Sequence, residues 1–316
     1  MKETDEFLIL KEFFKDLGNQ YFDSSGLLIG PGDDAGMFSE KDQELIFSTD
    51  VSVSGVHFPK NLDSQAIAYR ACAVAASDIA ACGGSLKWIS ISLTLETNEK
   101  AWIKGFAQGV IDFVETYKVP VIGGDLAKGK ECSVSVGVCG ALDSQNFMKR
   151  SGAKDSDDVY VTGNLGEAYL GLNLLTDNKK NLSNIEKLWI DKYLKPKLRF
   201  EFAQELSNFA NSCIDVSDGL IADLNHICEM SSLGASLDSD KIPFSGELEK
   251  ALTWGDDYEL CFTAAASKKE EIDRLTDLFG IKISKIGRIE KEKHVKVLKE
   301  GTPVTFEQTG YNHFNE

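Results

Sequence analysis

The sequence predicts two domains of mixed α/β or α+β structure, and three observations carry this prediction. The chain has 316 residues, more than one hydrophobic core usually serves. Its 42% hydrophobic and 27% charged residues are typical of a soluble globular protein. Segments of helical and of alternating hydrophobic pattern follow one another along the chain. These patterns leave open whether the sheets are parallel or antiparallel.

In the first half, residues 4–18 combine apolar residues at helical spacing with a terminal Gly, which predicts an amphipathic helix. Asp63 or Ser64 begins a long Ala-rich helix that ends at the pair Gly83-Gly84. A second helix is predicted at 99–118. Strands are predicted for ELIFSTDVSVSG (44–55), VPVIGG (119–124) and CSVSVGVCGAL (132–142).

The composition turns polar around residues 144–158, so we place the domain boundary there, between an N-terminal domain of residues 1–147 and a C-terminal domain of residues 148–316. Strand and helix patterns alternate again in the second half. They are DVYVTG (158–163), GEAYLGLNLL (166–175), IEKLWIDKYL (185–194), RFEFAQELSNFA (199–210), GLIADLNHICEM (219–230), YELCFTA (258–264) and EEIDRLTDLFG (270–280).

The net charge of −16 argues against nucleic acid as a partner, and an acidic protein that handles phosphates has to hold them through metal ions. The N-terminal residues lack a basic segment, and no apolar run approaches the roughly 20 residues that span a membrane. Seven cysteines, an odd number without a CxxC pair, favour a reduced cytoplasm over a zinc site.

Acidic residues recur in apolar or Gly-rich segments, where a solvated charge is not normally found. Asp78 is the most informative, because Ile67, Ala71 and Val74 precede it at helical spacing and place it on an apolar face. Its position near the helix C-terminus adds an unfavourable dipole, and a bound cation would remove both penalties. The other acids are Asp33, Asp34, Asp50, Asp125, Asp215, Asp218, Asp256 and Asp257.

Each acidic motif also has a structural interpretation. Asp78 could pair with a basic residue or be partly solvated at its helix end, and GDDAG and GGD could be surface turns. In DVSDGLIADL, Ser217 or Asp218 is expected to cap the following helix, whose free N–H groups could also bind phosphate oxygens. Arg150, in the basic segment KRSGAK, could be a solvated linker residue.

Together the acids favour a hard cation with oxygen ligands, and Mg²⁺ fits best. Ca²⁺ is the competitor, but no DxDxDG loop with Glu at its twelfth position is present, and the four histidines, which zinc would favour, are scattered. The stretch GDLAKGK (124–130) spells GxxxxGK, but Glu131 replaces the Ser or Thr of a P-loop. We therefore expect Gly123–Asp125 to end a strand and present a carboxylate to Mg²⁺, and AKGK to be a solvated turn.

The motifs GDDAGMF, STDVSVSGVHF, AVAASDIAACGG, VIGGDLAKG, KRSGAK, IDVSDGLIADL, GDDYELCF and GYNHF resemble the thiamine-monophosphate kinase family, in order and across nearly the whole chain. This family belongs to the superfamily of aminoimidazole ribonucleotide synthetase, selenophosphate synthetase and HypE. The resemblance implies transfer of the ATP γ-phosphoryl group to thiamine monophosphate. It also implies an N-terminal α/β domain that dimerises through its sheet, and a C-terminal α+β domain.

The resemblance further implies site residues. Matching the family's ligands of several Mg²⁺ ions are Asp34, Ser48, Thr49, Asp50, Asp78, Asp125, Asp215 and Asp218. Matching its ATP contacts are Gly124, Asp125, Arg150 and Ser217, and matching its substrate contacts are His57, Asp256 and Tyr311. The family often has Gly and Glu where this chain has Trp254 and Asp256: Asp256 keeps the charge of Glu with a shorter reach, and Trp254 adds bulk at the substrate site.

Two alternatives stay open at this point. Another ATP-dependent enzyme of the superfamily is disfavoured, because the first cysteine, Cys72, lies in a predicted helix and the given sequence ends YNHFNE. The other alternative is an acidic metal-binding protein without catalytic activity.

The phosphoryl transfer that the resemblance implies needs no general base, because the acceptor is already an anion. This agrees with the absence of an evident general base in the sequence.

Overall fold

Two β-sheets organise the part of the chain that the structure, a computed structural model, describes: residues 27–29, 33–40, 43–142 and 146–311. The helix predicted at 4–18 lies outside these residues, as do the positions of GYNHF after Tyr311. Within them, no helix is long and apolar enough to cross a membrane.

The first sheet has six strands in the order β1-β2-β3-β6-β4-β5. All neighbours are antiparallel except β4 and β5, which are parallel. The strands are β1 (Leu27–Ile29), β2 (Gly36–Glu40), β3 (Gln43–Val53), β4 (Ser85–Leu95), β5 (Val121–Lys128) and β6 (Ser133–Ala141). Helices α1 (Ser64–Ala81) and α2 (Lys100–Tyr117) pack against each other, and α1 also packs against β3 and β6.

Helix α1 is the central element of this half and begins and ends as predicted. The Asp63 carboxylate accepts hydrogen bonds from the N–H groups of Gln65 and Ala66, and Gly83 follows the helix with a φ of +79°. Small side chains let the helix approach its neighbours closely, so it is buried on nearly every side and not on one stripe alone. Beyond the first turn, where Gln65 is exposed, a polar group on this helix therefore lies in the protein interior.

The GDLAK prediction was wrong about where the strand ends. Strand β5 continues through Asp125 to Lys128, because parallel pairing with β4 extends from Ile89↔Val121 to Leu95↔Lys128. The turn begins only at Gly129. As the last strand in the order, β5 has one unpaired edge, and each of its residues is exposed.

The second sheet has seven strands in the order β13-β12-β9-β11-β7-β10-β8, of which only β9 and β12 pair in parallel. Its strands are β7 (Asp158–Thr162), β8 (Ala210–Asp215), β9 (Gly234–Asp238), β10 (Leu260–Ala264), β11 (Ile283–Glu290), β12 (Val295–Lys299) and β13 (Thr302–Val304). Its helices are α3 (Glu167–Thr176), α4 (Asn184–Leu194), α5 (Phe200–Leu206), α6 (Leu220–Ser231), α7 (Leu248–Thr253) and α8 (Lys269–Phe279). The boundary at residue 147 stays a prediction.

Candidate active site

Three predicted metal ligands converge although they are far apart in the chain. Asp34 lies just before β2, Asp78 in the last turn of α1, and Asp215 at the end of β8, and each offers an oxygen within 4.8 Å of the others. Asp34 and Asp215 are buried, and Asp78 is partly buried. The cluster thus joins the two halves of the chain. We call these three residues the acid cluster.

Arg150 supplies positive charge to the acid cluster. Its guanidinium makes an ion pair with Asp34 Oδ1, its Nε donates to the same oxygen at 2.9 Å, and its backbone N–H donates to Asp33 Oδ1 at 3.1 Å. The other Asp34 oxygen, Oδ2, is buried and accepts no hydrogen bond from a described residue. Arg150 is therefore not a solvated linker residue, and one buried carboxylate oxygen is left for another ligand.

Burial and mutual repulsion disfavour the ionised cluster. Burial, followed by the charge of Asp34, raises the pKa of Asp215 to about 7. The pKa of Asp78 is raised well above its ordinary value by burial and then by the charges of Asp215 and Asp34, although Ser48 Oγ donates to Asp78 Oδ2 at 2.6 Å. Burial and Asp34 likewise raise the pKa of Asp33 to about 6. Such shifts are typical of sites that bind a cation or act on protons.

The side chains of β3 point alternately to the two faces of the first sheet, so the predicted ligands on this strand are divided between those faces. Ser48 and Asp50 are partly buried on the face that α1 covers, and the charge of Asp50 contributes to the raised pKa of Asp78. Thr49 is exposed on the other face, because successive side chains of a strand point to opposite sides. The structure does not bring the Thr49 side chain to the acid cluster.

Asp125 is also separate from the acid cluster. It pairs with Ser92 of β4, which pairs with Ser135 of β6, which pairs with Val51 of β3. Three strand spacings, about 14 Å, therefore separate Asp125 from β3. Like Thr49, Asp125 lies on the exposed face. Gly124 precedes it, and its Cα is so close to β4 that a Cβ would lie 1.9 Å from the carbonyl oxygen of Ile91.

The loop before α6 is built differently from the prediction. Gly219, not Ser217 or Asp218, is the N-cap residue, and no side chain caps the helix from that position. Instead Asp223 Oδ2 accepts hydrogen bonds from the N–H groups of Ser217, Asp218 and Gly219 at 3.0–3.1 Å. Those three groups are occupied by the carboxylate and are not available to a phosphate. Asp223 is a residue that the sequence analysis missed, although its place in the first helical turn was a signal.

Most of the remaining predicted site residues share one cavity of about 400 Å³ between the two halves. It combines carboxylates with aromatic rings, a combination that suits a cationic aromatic ligand. Among its lining residues are Asp50, His57, Phe58, Tyr193, Ser217, Asp218, Trp254, Asp256, Tyr258 and Tyr311. Asp50 belongs both to this wall and to the surroundings of Asp78, so the cavity opens beside the acid cluster.

Two comparisons with known proteins identify the family of this chain. Residues 32–142 match the family model of the AIR synthase related protein N-terminal domain, and residues 154–300 match that of its C-terminal domain. Thiamine-monophosphate kinase from Buchnera aphidicola subsp. Schizaphis graminum is 36% identical, with 99% of each chain covered. The chain belongs to the thiamine-monophosphate kinase family. The Escherichia coli K12 member is 35% identical over 98% of each chain.

A solved thiamine-monophosphate kinase supports the same assignment. The structure described as AaThiL complexed with AMPPCP and TMP has a TM-score of 0.83 and 32% identity, covering 99% of this chain and 98% of its own. The predicted fold, with an N-terminal α/β and a C-terminal α+β domain, is therefore confirmed. E. coli HypE, at 17% identity and a TM-score of 0.68, shares the fold.

Proposed function

We propose that this protein transfers the γ-phosphoryl group of ATP to thiamine monophosphate, giving thiamine diphosphate and ADP by direct in-line transfer. The observation that carries the proposal is the acid cluster beside a cavity of aromatic and acidic residues. The two parts match the two ends of the acceptor, which has a phosphate at one end and a cationic aromatic system at the other. Membership of the thiamine-monophosphate kinase family supports the choice of substrate.

The residues present fit Mg²⁺. The cluster offers only carboxylate oxygens, the ligands that hard cations prefer, and the buried Asp34 Oδ2 has no hydrogen-bond partner among the residues that the structure describes. When bound, Mg²⁺ ions supply positive charge that reduces the repulsion between the phosphates of the two substrates. The proposed ligands in and beside the acid cluster are Asp34, Ser48, Asp50, Asp78, Asp215 and Asp218. The other two proposed ligands, Thr49 and Asp125, lie away from this cluster, on the exposed face of the first sheet.

The chain's own residues provide binding and charge neutralisation. We propose that Arg150 exchanges part of its contact with Asp34 for a phosphate oxygen of ATP, because a guanidinium binds carboxylate and phosphate with the same geometry. Gly124, Asp125 and Ser217 are the other proposed ATP contacts. No general base is needed, since the acceptor phosphate has a second pKa near 6 and is largely dianionic at neutral pH.

A second copy of the chain is the proposed partner. The exposed face of the first sheet carries the apolar side chains of Phe47 and Val51 on β3, and the edge strand β5 exposes Val121, Ile122 and Leu126 along the free edge of the sheet. Such a surface is unusual for a monomer. A homodimer that joins these sheets would cover it and would also cover Thr49 and Asp125.

All seven cysteines are free thiols, which supports the cytoplasm as the proposed compartment.

A steady-state assay with ATP, Mg²⁺ and thiamine monophosphate tests the function. We expect thiamine diphosphate and ADP in equal amounts, and no product after chelation with EDTA. ADP without thiamine diphosphate would favour another acceptor within the superfamily. No nucleotide turnover at millimolar Mg²⁺, in protein that binds the metal, would favour a metal-binding protein without activity.

A further inference from the structure

The loop from Trp254 to Tyr258 forms one wall of the cavity in backbone conformations that are unusual for most residues. The φ angles are +87° at Gly255, +65° at Asp256 and +49° at Tyr258. Glycine is required at 255, because a Cβ there would lie 2.0 Å from the carbonyl oxygen of Ser217. A left-handed conformation is unfavourable for an aromatic residue, so surrounding contacts have to hold the loop in place.

The backbone of this loop is held from within the C-terminal half. The N–H of Asp256 donates to the carbonyl of Ser217 at 2.8 Å, and the N–H of Tyr258 donates to the carbonyl of Val216 at 2.9 Å. These bonds attach the loop to the segment that follows Asp215 of the acid cluster. They fix the main chain, but they do not fix the direction of the Asp256 side chain.

The Asp256 side chain is held from the other half of the chain, by Arg70 of α1. The Arg70 guanidinium makes an ion pair with Asp256 Oδ1, to which the hydroxyl of Tyr258 also donates at 3.3 Å. Arg70 is only 4% exposed, and although burial lowers the pKa of an arginine, the charge of Asp256 and the neighbouring tyrosines raise that of Arg70 overall.

The same guanidinium fixes a second part of the cavity wall. Arg70 Nη1 donates to the carbonyl of Tyr193 at 2.6 Å, and its Cζ lies 3.9 Å from the centre of the Tyr193 ring. The Tyr193 hydroxyl in turn donates to the carbonyl of His57 at 3.0 Å. One buried cation therefore connects three residues that line the cavity and come from separate parts of the sequence.

Helix α1 also carries Asp78 of the acid cluster, eight residues after Arg70. At 1.5 Å per residue, about 12 Å of helix separates the two positions along the axis. A rigid, buried helix thus sets the separation between the acid cluster and the wall that contains Asp256. Helix α1 therefore fixes both ends of a site for a substrate that extends from the acid cluster to the wall that contains Asp256.

We propose that Arg70 is a positioning residue of the substrate cavity: it occupies Asp256 Oδ1 and so orients Oδ2 toward a hydrogen-bond donor or cationic ring on the phosphoryl acceptor. This inference rests on the proposed function and deepens it. According to this proposal, Arg70 affects the binding of the acceptor and does not affect the binding of ATP. It also explains how a carboxylate with the short aspartate side chain is held at this position.

Variants that shorten the Arg70 side chain and lengthen the Asp256 side chain test the proposal. Lysine has a shorter side chain than arginine, and glutamate is one methylene longer than aspartate. Arg70→Lys and Asp256→Glu are each expected to raise the KM for thiamine monophosphate by roughly 5–30-fold, equivalent to about 1–2 kcal/mol, with the KM for ATP within twofold. The double variant is expected to return the KM for thiamine monophosphate to within about threefold of the wild type. Equal rises in both KM values, or effects that multiply in the double variant, would overturn the proposal.

Controls separate positioning from stability. Arg199 makes another, partly buried ion pair, with the buried Glu259, and is not among the residues that line the cavity. Arg199→Lys is expected to lower the Tm measured without ligands while leaving the KM for thiamine monophosphate within twofold. If Arg70→Lys does not fold, Asp256→Asn provides the comparison, with the same expected rise in that KM alone. A wild-type enzyme that makes no thiamine diphosphate would overturn both proposals, whereas normal turnover with unchanged KM values in the variants would overturn this one only.

Discussion

Asp223 accepts a hydrogen bond from the backbone N–H of Gly219, four residues before it, at 3.1 Å. The same oxygen accepts from Ser217 and Asp218, so one buried carboxylate organises the whole turn before α6. Both Ser217 and Asp218 line the cavity. The turn therefore connects the stability of this helix with the shape of the site.

We expect Asp223→Ala to lower the free energy of unfolding by about 2–4 kcal/mol, because three N–H groups lose their acceptor. The turn then relaxes, and the KM for ATP is expected to rise through Ser217. Urea denaturation and steady-state kinetics measure the two effects. Asp273→Ala, at an exposed position of α8, is the control and should change stability by less than about 0.5 kcal/mol. Equal stability of the two variants would contradict this role of Asp223.

The acid cluster predicts a stability that decreases with pH in metal-free protein. Because folding raises the pKa of Asp215 from 3.8 to about 7, the folded state holds a proton that the unfolded chain releases within this range. Stability contributed by the protonated form is thus lost as the pH rises toward 7. In EDTA, we expect the Tm to fall between pH 5 and pH 8, and Mg²⁺ to restore it at pH 8. A Tm that rises across this range, and does not respond to Mg²⁺, would argue against the cluster.

Asp78→Asn separates stability from activity. Burial and the charges of Asp215 and Asp34 disfavour the ionised form of Asp78, so replacing this carboxyl by a neutral amide should raise the Tm of metal-free protein at pH 8. A gain of about 1 kcal/mol corresponds to a rise of about 2–4 °C. Turnover should be abolished, since the proposed Mg²⁺ ligand is lost. Asp240→Asn, at an exposed position, should change neither quantity, and wild-type turnover in Asp78→Asn would remove Asp78 from the site.

Tyr311 is predicted to contact the acceptor and not ATP. Its ring lines the cavity, and its N–H donates to the carbonyl of Asp218 at 2.9 Å. Tyr311→Ala should raise the KM for thiamine monophosphate by roughly 5–30-fold, as expected for losing about 1–2 kcal/mol of aromatic contact. Tyr311→Phe keeps the ring and should stay within about threefold of wild type. A change in the KM for ATP alone would contradict the assignment.

Local patterns predicted much of the fold and part of the site. The cap at Asp63 and the bounds of α1 follow from neighbouring residues, and the cost of a carboxylate near the end of this helix identified Asp78. Arg70 escaped notice because its importance comes from Asp256, a partner 186 residues away. The pairing that lengthens β5 is equally non-local. By contrast, the sequence alone could have predicted that Thr49 lies on the opposite face of the sheet from Ser48 and Asp50, because successive side chains of a strand point to opposite faces.

The edge strand β5 predicts how the proposed dimer can be broken. Ile122 is 58% exposed there, and a lysine at that position would place a charge in an apolar interface without a partner. We expect Ile122→Lys to raise the dimer dissociation constant at least tenfold, with sedimentation velocity as the measurement. Ile185→Lys is the matched control, because Ile185 is 49% exposed on α4, away from the first sheet, and should leave the dimer intact. A wild-type monomer, or equal dissociation of both variants, would exclude the β5 face as the interface.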